Sequence, residues 1–263
     1  MFMIKLAKIL LLTVHLLYGV VLIIVQVRLL GRKPQDPAFV QQVQRWYQRS
    51  CKLVGLTLVV EQGEVINGPV LLVSNHISWL DIPVIASVCT PRFLSKSEVR
   101  RWPLIGWAAE QLHTLFIHRG NHSAAEAASA AIVEGLQQQD RILIFPEGTT
   151  SDGQGIGFFY PRLFGAAIAC EAPVQPIVIH YTDDNSDGHT SKLAAFIGKQ
   201  TLVQNLWGLL GSRNLTAHVY IMQPVTTTEA GLTRKALAAQ TQASVQQVLA
   251  KSQADYQAPL IHK

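Results

Sequence analysis

The chain has 263 residues, of which 49% are hydrophobic and only 15% are charged. This composition excludes an intrinsically disordered chain, which needs low hydrophobicity and high charge. Three cysteines and 18 glycines exclude a disulfide-stapled or a collagen-like protein. The length suits one large α/β domain or two smaller ones. The formal net charge of +5 suits either nucleic acid or an anionic membrane surface.

The position of the positive charge decides between these two partners. Residues 1–60 carry eight basic side chains and one acid, whereas the remainder carries 14 basic and 16 acidic side chains. The amino-terminal segment therefore has a net charge of +7, and the rest of the chain is nearly neutral at −2. A basic, apolar front end favours membrane lipid as a partner and disfavours nucleic acid.

Residues 9–25 form a long apolar run, flanked by Lys5 and Lys8 on one side. As a helix this run measures about 26 Å, slightly less than the hydrocarbon core of a bilayer. A signal peptide is the alternative, but no small-residue cleavage site follows. We expect an anchor that spans the bilayer or lies in one leaflet. The basic residues after it predict a main domain on the cytoplasmic face, at the inner membrane in a bacterium.

Residues 38–56 follow two prolines and combine an apolar stripe at helical spacing with basic residues. They predict an amphipathic helix at the lipid interface, or an ordinary surface helix. We therefore divide the chain into a membrane-anchoring segment, 1–56, and a main domain, 57–263. Within that domain, the apolar stretch 202–210 is either a second membrane contact, with Trp207 at headgroup level, or a buried helix.

Short β-branched runs and helical periodicity alternate from about residue 57 onward. Alternation of this kind predicts an α/β fold with a central, largely parallel sheet flanked by helices, preceded by the anchoring helix or helix pair. The predicted strands are 56–60, 70–74, 93–94, 114–118, 142–145, 174–181 and 217–222. The predicted helices are 82–88, 104–112, 123–138, 163–170 and 234–250.

The first chemical signal is His76, directly after the predicted strand 70–74, with Asp81 five residues further on. Open α/β sheets bind ligands at the carboxyl ends of their strands. If the intervening segment turns into a helix, Asp81 can fix the imidazole tautomer, and His76 can serve as a general base for a hydroxyl. A strand-end histidine bonded to backbone, and an aspartate at a helix start, explain the same residues equally well.

Two further strand ends carry polar groups. Glu147, Gly148 and Thr149 follow the run RILIF and suit a polyol or a phosphate-bearing acceptor, with a polar loop as the alternative. Arg119 follows Phe116 and Ile117 and suits a phosphate, although viewed alone a surface arginine at a strand end is the simpler explanation. No CxxC, HExxH, P-loop, GxGxxG or GxSxG motif is present, so the sequence indicates no metal site, nucleotide cofactor or serine nucleophile.

Together these residues resemble the glycerolipid acyltransferase family, typified by 1-acylglycerol-3-phosphate acyltransferase. The family has four ordered blocks, and the resemblance spans roughly residues 70–180. Lys96 resembles a family lysine near the acceptor phosphate. The blocks correspond to His76 with Asp81, to Phe116, Ile117 and Arg119, to Phe145 through Thr149 with Ser151, and to Pro173 through Pro176.

The resemblance implies transfer of a fatty acyl group from acyl-CoA or acyl carrier protein to the free hydroxyl of a lysolipid. His76 would be the base and Asp81 its orienting partner. Arg119 and Lys96 would hold the acceptor headgroup. Glu147, Gly148 and Thr149 would position the acceptor backbone. No metal or organic cofactor would be needed.

Two positions depart from the family pattern. His113 stands where the second block usually has glycine, and Thr150 stands where the third block usually has arginine. The resemblance implies 1-acylglycerol-3-phosphate as the acceptor and phosphatidic acid as the product. Because Thr150 removes one positive contact for a phosphate, a lyso-ornithine lipid is the alternative acceptor. A membrane-anchored hydrolase that uses His76 to activate water, and a non-catalytic lipid-binding adaptor, are the alternatives from other functional classes.

Overall fold

A seven-stranded sheet forms the centre of the computed structural model, which describes residues 2–117, 122–212 and 214–257. The strands are β1 Leu56–Gln62, β2 Val70–Ser74, β3 Arg92–Lys96, β4 Leu115–Ile117, β5 Arg141–Ile144, β6 Val174–Thr182 and β7 Leu215–Ile221. The helices are α1 Phe2–Ile23, α2 Pro37–Val54, α3 Asp81–Val88, α4 Ile105–Gln111, α5 His122–Gln137, α6 Phe164–Ala169, α7 Leu202–Leu209 and α8 Arg234–Gln257.

The strand order across the sheet is β1-β7-β6-β2-β5-β3-β4. All neighbouring pairs are parallel except β6 and β7, so β1 and β7 run opposite to the other five strands. The predicted α/β fold with a largely parallel sheet is confirmed. Although β1 and β2 are consecutive in the chain, β7 and β6 separate them in the sheet.

Helices cover both faces of the sheet and divide the core into two layers. One layer joins the sheet to α2, α3 and α7, and the other joins it to α5, α6 and α8. Every residue of β2 is buried, as expected for a central parallel strand that is covered on both faces. This explains why its sequence, VLLVS, is a continuous apolar run without alternation.

The predicted amino-terminal helix is present, and it is longer than the apolar run. It spans Phe2–Ile23 and continues as a turn of π-helix over Ile24–Leu29. Among the described residues, it is the one helix long and apolar enough to cross a membrane. Most of its large apolar side chains are exposed, including Leu10 at 65%, so a broad apolar face of α1 has no protein partner.

The other face of α1 packs on α2. The His15 ring stacks on Trp46 with 4.9 Å between ring centroids, and the Trp46 indole donates to the His15 carbonyl at 3.0 Å. A Cβ atom on Gly19 would lie 2.6 Å from the Trp46 ring, so only glycine allows this close approach. The two helices therefore form the predicted pair. Helix α2 begins at an Asp36 cap and ends at Gly55 in the left-handed conformation (φ 89°).

The amino-terminal end of α1 is bound to helix α7. Lys5 donates to the Trp207 carbonyl at 2.8 Å, and Lys8 donates to the Leu210 carbonyl at 3.2 Å. These carbonyls lie at the negative end of α7, where a lysine ammonium both satisfies unpaired acceptors and stabilises the helix dipole. Lys5 is 92% buried as a result. Helix α7 itself starts at a Thr201–Gln204 capping box.

Candidate active site

Three of the polar residues predicted from the sequence lie at the carboxyl ends of neighbouring strands. His76 follows β2, Lys96 is the last residue of β3 and Glu147 follows β5. These strands are parallel, so their carboxyl ends share an edge. The chain leaves β2 toward β3 and β4 and later passes from β5 to β6 on the opposite side of β2. Reversal of strand order at this place is typical of the ligand crevice of open α/β sheets.

His76 and Asp81 form a direct pair. The Nδ1 atom of His76 lies 2.8 Å from Oδ2 of Asp81. Asp81 is fully buried, whereas the His76 side chain is 20% exposed and stacks on Phe145 with 4.0 Å between ring centroids. With a proton on Nδ1 facing the carboxylate, Nε2 carries the free lone pair. The ring is therefore oriented to accept a proton from a group at the sheet edge.

The pairing follows from local backbone geometry. Asp81 is the first residue of α3, and its Oδ2 also accepts from the backbone N–H groups of Ile77 at 2.8 Å and Ser78 at 3.0 Å. The carboxylate thus closes the turn between β2 and α3, and this turn brings a histidine five residues earlier back to it. Asp81 both starts α3 and binds the His76 imidazole.

Tyr181 is a site residue that the sequence did not reveal. It lies near the carboxyl end of β6, and its hydroxyl donates a hydrogen bond of 2.8 Å to Oδ1 of Asp81. Burial raises the pKa of Tyr181 well above its usual range, and the adjacent Asp81 charge adds to the effect. The phenol therefore stays protonated and remains a donor. With it, Asp81 has four hydrogen-bond partners, which compensate for the burial of its charge.

Asn75 fixes the end of β2 against β6. Its side-chain amide donates to the Ile179 carbonyl at 2.9 Å, and its side-chain carbonyl accepts from the Ile179 N–H at 2.9 Å. These two hydrogen bonds continue the ladder between β2 and β6 through the Asn75 side chain. The main chain leaves the sheet at the next residue, His76. The Asn-His pair of the sequence is thus one device, in which the asparagine holds the strand and the histidine leaves it.

Glu147 binds two backbone donors of the protein. Its Oε1 accepts from the N–H of His76 and its Oε2 from the N–H of Gly157, both at 2.8 Å. Burial raises the pKa of Glu147, and these two donors partly offset the effect. The sequence predicted contact with an acceptor, which stays a prediction. In the structure the carboxylate holds the main chain of His76, and this contact was not foreseen.

The remaining predicted residues differ in position. Gly148 is in the left-handed conformation (φ 71°) beside Glu147, where a turn requires glycine, and Thr149 is exposed at the rim. Lys96 is exposed and lies opposite Ile117 in the β3–β4 register. Arg119 lies two positions beyond Ile117 and outside the described residues. Lys96 and the end of β4 therefore share the edge that carries His76.

The two departures from the family pattern have structural counterparts. The Thr150 hydroxyl donates to the Phe196 carbonyl at 2.5 Å, and the Phe196 N–H donates to the Ile77 carbonyl at 2.9 Å. Thr150 thus binds the segment before α7 and leaves no cation at its position. His113 has a φ of 57°, a conformation in which glycine costs least; this explains why glycine is usual in that block.

The assembled site has one buried carboxylate, an imidazole with a free nitrogen, and polar groups around it. Such an arrangement defines an enzyme that can take a proton from a hydroxyl. Within residues 2–117, 122–212 and 214–257, no group of three or more His, Cys, Asp and Glu residues could hold a metal ion. The His76–Asp81 pair supplies acid–base chemistry at this site.

Comparison with known proteins identifies the family. A family model described as Acyltransferase matches residues 51–180. Lyso-ornithine lipid O-acyltransferase of Pseudomonas aeruginosa is 38% identical over 210 residues, which cover 80% of this chain and 79% of that protein. 1-Acyl-sn-glycerol-3-phosphate acyltransferase of Neisseria meningitidis serogroup B is 32% identical over 166 residues, covering 63% of this chain and 64% of that one.

The fold is similar to a crystal structure of the 1-acyl-sn-glycerophosphate acyltransferase PlsC from Thermotoga maritima. The TM-score is 0.70 at 20% sequence identity, and the match covers 95% of both chains. The family-model match and the 38% identity to the Pseudomonas enzyme show that the chain belongs to the glycerolipid acyltransferase family, as its four sequence blocks implied, and that it is an O-acyltransferase.

Proposed function

We propose that this enzyme transfers a fatty acyl group from acyl-CoA or acyl carrier protein to the free hydroxyl of a lyso-ornithine lipid. The observation that carries this proposal is Thr150, which occupies the place of a family arginine. Its hydroxyl donates to the Phe196 carbonyl. An ornithine headgroup has a carboxylate and no phosphate, so it needs fewer cations than lysophosphatidate. The 38% identity to the Pseudomonas enzyme supports the same acceptor.

The mechanism uses His76 as the general base. Nε2 of His76 takes the proton of the acceptor hydroxyl while its oxygen attacks the thioester carbonyl, and Asp81 at 2.8 Å balances the imidazolium that forms. The tetrahedral intermediate then loses the thiolate, which takes the proton from His76. One ester bond forms, one thioester bond breaks, and His76 returns to its starting state. A thioester is already activated, so the reaction requires no cofactor.

Lys96 and Arg119 are the cations that we assign to the acceptor headgroup, with Gly148 and Thr149 contacting its backbone. Lys96 is exposed at the shared strand edge, where an anionic group can reach it. These cations also favour lysophosphatidate as the second candidate, which the Neisseria relative supports. The two candidates differ in headgroup charge and share the same transfer step.

We infer that residues 1–56 anchor the enzyme in one leaflet, with residues 57–263 as the acyltransferase domain on the cytoplasmic face. A spanning helix places one end on the far side of the bilayer. In α1, Lys5 is bound to α7 and Ile23 packs against Phe39 and Val43 of α2. These two attachment points are about 27 Å apart along the helix, so both ends of α1 stay with the same domain. An anchored site reaches an acceptor that lives in the bilayer.

Parallel reactions with the two acceptors test the proposal. Purified enzyme in lipid vesicles is given acyl-CoA with either lyso-ornithine lipid or lysophosphatidate, and products are measured by mass spectrometry together with thiol release. We expect acylated ornithine lipid to dominate and thiol release to require acceptor. Preference for lysophosphatidate would overturn the acceptor assignment, and thiol release without acceptor would indicate hydrolysis.

The base is tested by His76→Ala, with His189→Ala in an exposed polar loop as the matched control. The His76 variant should lose at least about 10³-fold in activity, because the remaining site supplies only binding and orientation. Full activity of His76→Ala would exclude the mechanism.

A further inference from the structure

We propose that this enzyme has a second lipid-binding surface, distinct from α1, at the rim of the active site. We name it the α7 patch. The inference rests on the proposed function in one respect, since it assumes that the acceptor comes from a bilayer. The patch consists of the apolar residues Leu193, Ile197 and Val203 and the basic residues Lys192 and Lys199.

The apolar members of the patch are exposed. Val203 is 73% exposed, Ile197 is 47% exposed and Leu193 is 38% exposed. Three aliphatic side chains within eleven residues therefore face outward, whereas Ala194 and Ala195, between Leu193 and Ile197, are buried. Clustered exposed aliphatic groups mark interaction surfaces, whereas scattered ones need no explanation.

The backbone that carries these side chains is held in place. Asn205 of α7 is 98% buried, and its amide nitrogen donates to the carbonyls of Leu193 at 3.2 Å and Ala195 at 3.3 Å. The capping box at Thr201 fixes the start of the helix that carries Val203. The exposed aliphatic groups thus belong to a preorganised surface.

The charge of the segment specifies the partner. Residues 188–212 contain no acidic side chain, and the exposed Lys192 and Lys199 flank the aliphatic residues. Aliphatic groups between lysines match an anionic lipid surface, where the side chains enter the headgroup region and the ammonium groups meet phosphates. A protein partner would be an outcome of the test described below.

The patch is continuous with the apolar face of α1. Val203 and Trp207 are four residues apart on α7 and therefore share a face. Trp207 contacts Phe2 with 5.7 Å between ring centroids, and Lys5 binds its carbonyl. An exposed helix of lipid-anchoring character and the α7 patch are thus joined through one indole. A membrane that receives α1 meets the patch next to it.

The patch is also connected to the catalytic turn. The Phe196 N–H donates to the Ile77 carbonyl at 2.9 Å, and Phe196 accepts the Thr150 hydroxyl. The Trp79 indole donates to Asn205 at 2.8 Å. Ile77 and Trp79 both lie between His76 and Asp81 in the chain. The segment that carries the patch is therefore hydrogen-bonded directly to the turn between His76 and Asp81.

Fluorescent labelling tests the position of the patch. Single cysteines at 203 and, as a control, at 60 are introduced in a Cys170→Ser background and labelled with a polarity-sensitive dye. Val60 is also an exposed valine, at 45%, and lies on edge strand β1. On adding anionic vesicles, the dye at 203 should shift to shorter wavelength and be quenched by spin-labelled lipid, and the dye at 60 should not. An aqueous signal at 203 in vesicle-bound enzyme overturns the proposal.

A kinetic measurement separates this inference from the proposed function. Val203→Glu places an acid in the first turn of α7, a position that favours folding, and Val60→Glu is the matched control. Because the variant no longer inserts a valine into the lipid, its KM for vesicle-borne lysolipid should rise about tenfold. Its KM for a soluble short-chain lysolipid should be unchanged.

Equal KM values for Val203→Glu and wild type on vesicles would overturn the patch while leaving the acyl transfer intact. Capture of a protein in place of vesicles would also overturn it. No transfer by wild type to either acceptor form would overturn the proposed function instead.

Discussion

The Tyr181 hydroxyl donates a hydrogen bond of 2.8 Å to the Asp81 carboxylate, although the two residues are 100 positions apart in the chain. It occupies Oδ1, the oxygen that the imidazole does not use. One end of β6 thus fixes the orientation of the carboxylate, and the carboxylate fixes the orientation of the His76 imidazole. We propose that Tyr181 is a positioning residue that acts through Asp81.

Tyr181→Phe should lower kcat about tenfold with little change in KM. The substitution removes one charge-assisted hydrogen bond, worth about 1.5–3 kcal/mol, from a buried carboxylate. Steady-state kinetics with acyl-CoA and lysolipid measures the effect. Tyr220→Phe is the control, since it removes a hydrogen bond to Ser252 away from the site. Equal kcat values for the two variants would show that Tyr181 does not position the base.

Two substitutions of Thr150 should distinguish the effect of its hydrogen bond to Phe196 from the effect of a positive charge near the acceptor headgroup. Thr150→Val removes the bond to the Phe196 carbonyl and should raise KM for both acceptors several-fold. Thr150→Arg adds a cation and should increase the ratio of lysophosphatidate to lyso-ornithine lipid activity about tenfold, because a charge-assisted bond to phosphate is strong. Competition assays with both acceptors measure the ratio. An identical ratio in the valine and arginine variants would contradict a role for charge at this position.

Lys5→Met should loosen α1 from the domain without removing it from the membrane. The ammonium loses its bond to the Trp207 carbonyl and its position 5.0 Å from the Trp207 ring. A loss of about 1 kcal/mol corresponds to a decrease in Tm of about 3 °C for a chain of this size. Thermal unfolding followed by tryptophan fluorescence measures it, and vesicle flotation should be unchanged. Lys33→Met, at an exposed position, is the control and should not change Tm.

His180→Asn should make the fold less sensitive to acid. Burial, together with the nearby His218, lowers the pKa of His180 to about 4, and its Nε2 has no hydrogen-bond partner within the described part of the chain. In the unfolded chain the group titrates near 6.5, so the unfolded state binds a proton that the native state does not between about pH 6.5 and 4.

This difference makes the wild-type free energy of unfolding decrease as the pH falls through that range, by about 2 kcal/mol between pH 7.5 and 5. Asparagine keeps a polar partner for Ser252 and does not titrate, so the decrease should be smaller in the variant. Thermal unfolding at pH 7.5 and 5 measures it. An equal decrease in wild type and His180→Asn would assign the acid sensitivity to other groups.

The sequence allowed the local parts of the site to be predicted. His76 and Asp81 are five residues apart across a strand-to-helix turn, so their pairing depends on one short segment. Glu147 could be placed at a neighbouring strand end, but its bond to the His76 N–H depends on the β2–β5 register. Tyr181 could not be found at all, because its approach to Asp81 depends on β6 lying next to β2.

The basic residues of the anchor show the same limit. From sequence, Lys5 and Lys8 flank an apolar run and suit lipid headgroups. In the structure their ammonium groups lie on carbonyls of residues 202 positions away. Helix–helix docking of this kind leaves no trace in hydrophobic periodicity, which reports only that a helix forms and which face is apolar. Trp207 likewise contacts Phe2.

Attachment of α1 at both ends has a mechanical consequence. A catalytic domain on a flexible linker samples many heights and tilts above a membrane. Here α1 is fastened to the domain near Lys5 and again near Ile23, so rocking of the domain relative to the helix would break one of the two attachments. With α1 in the membrane as proposed, the height of His76 above the lipid plane is then fixed by the fold itself.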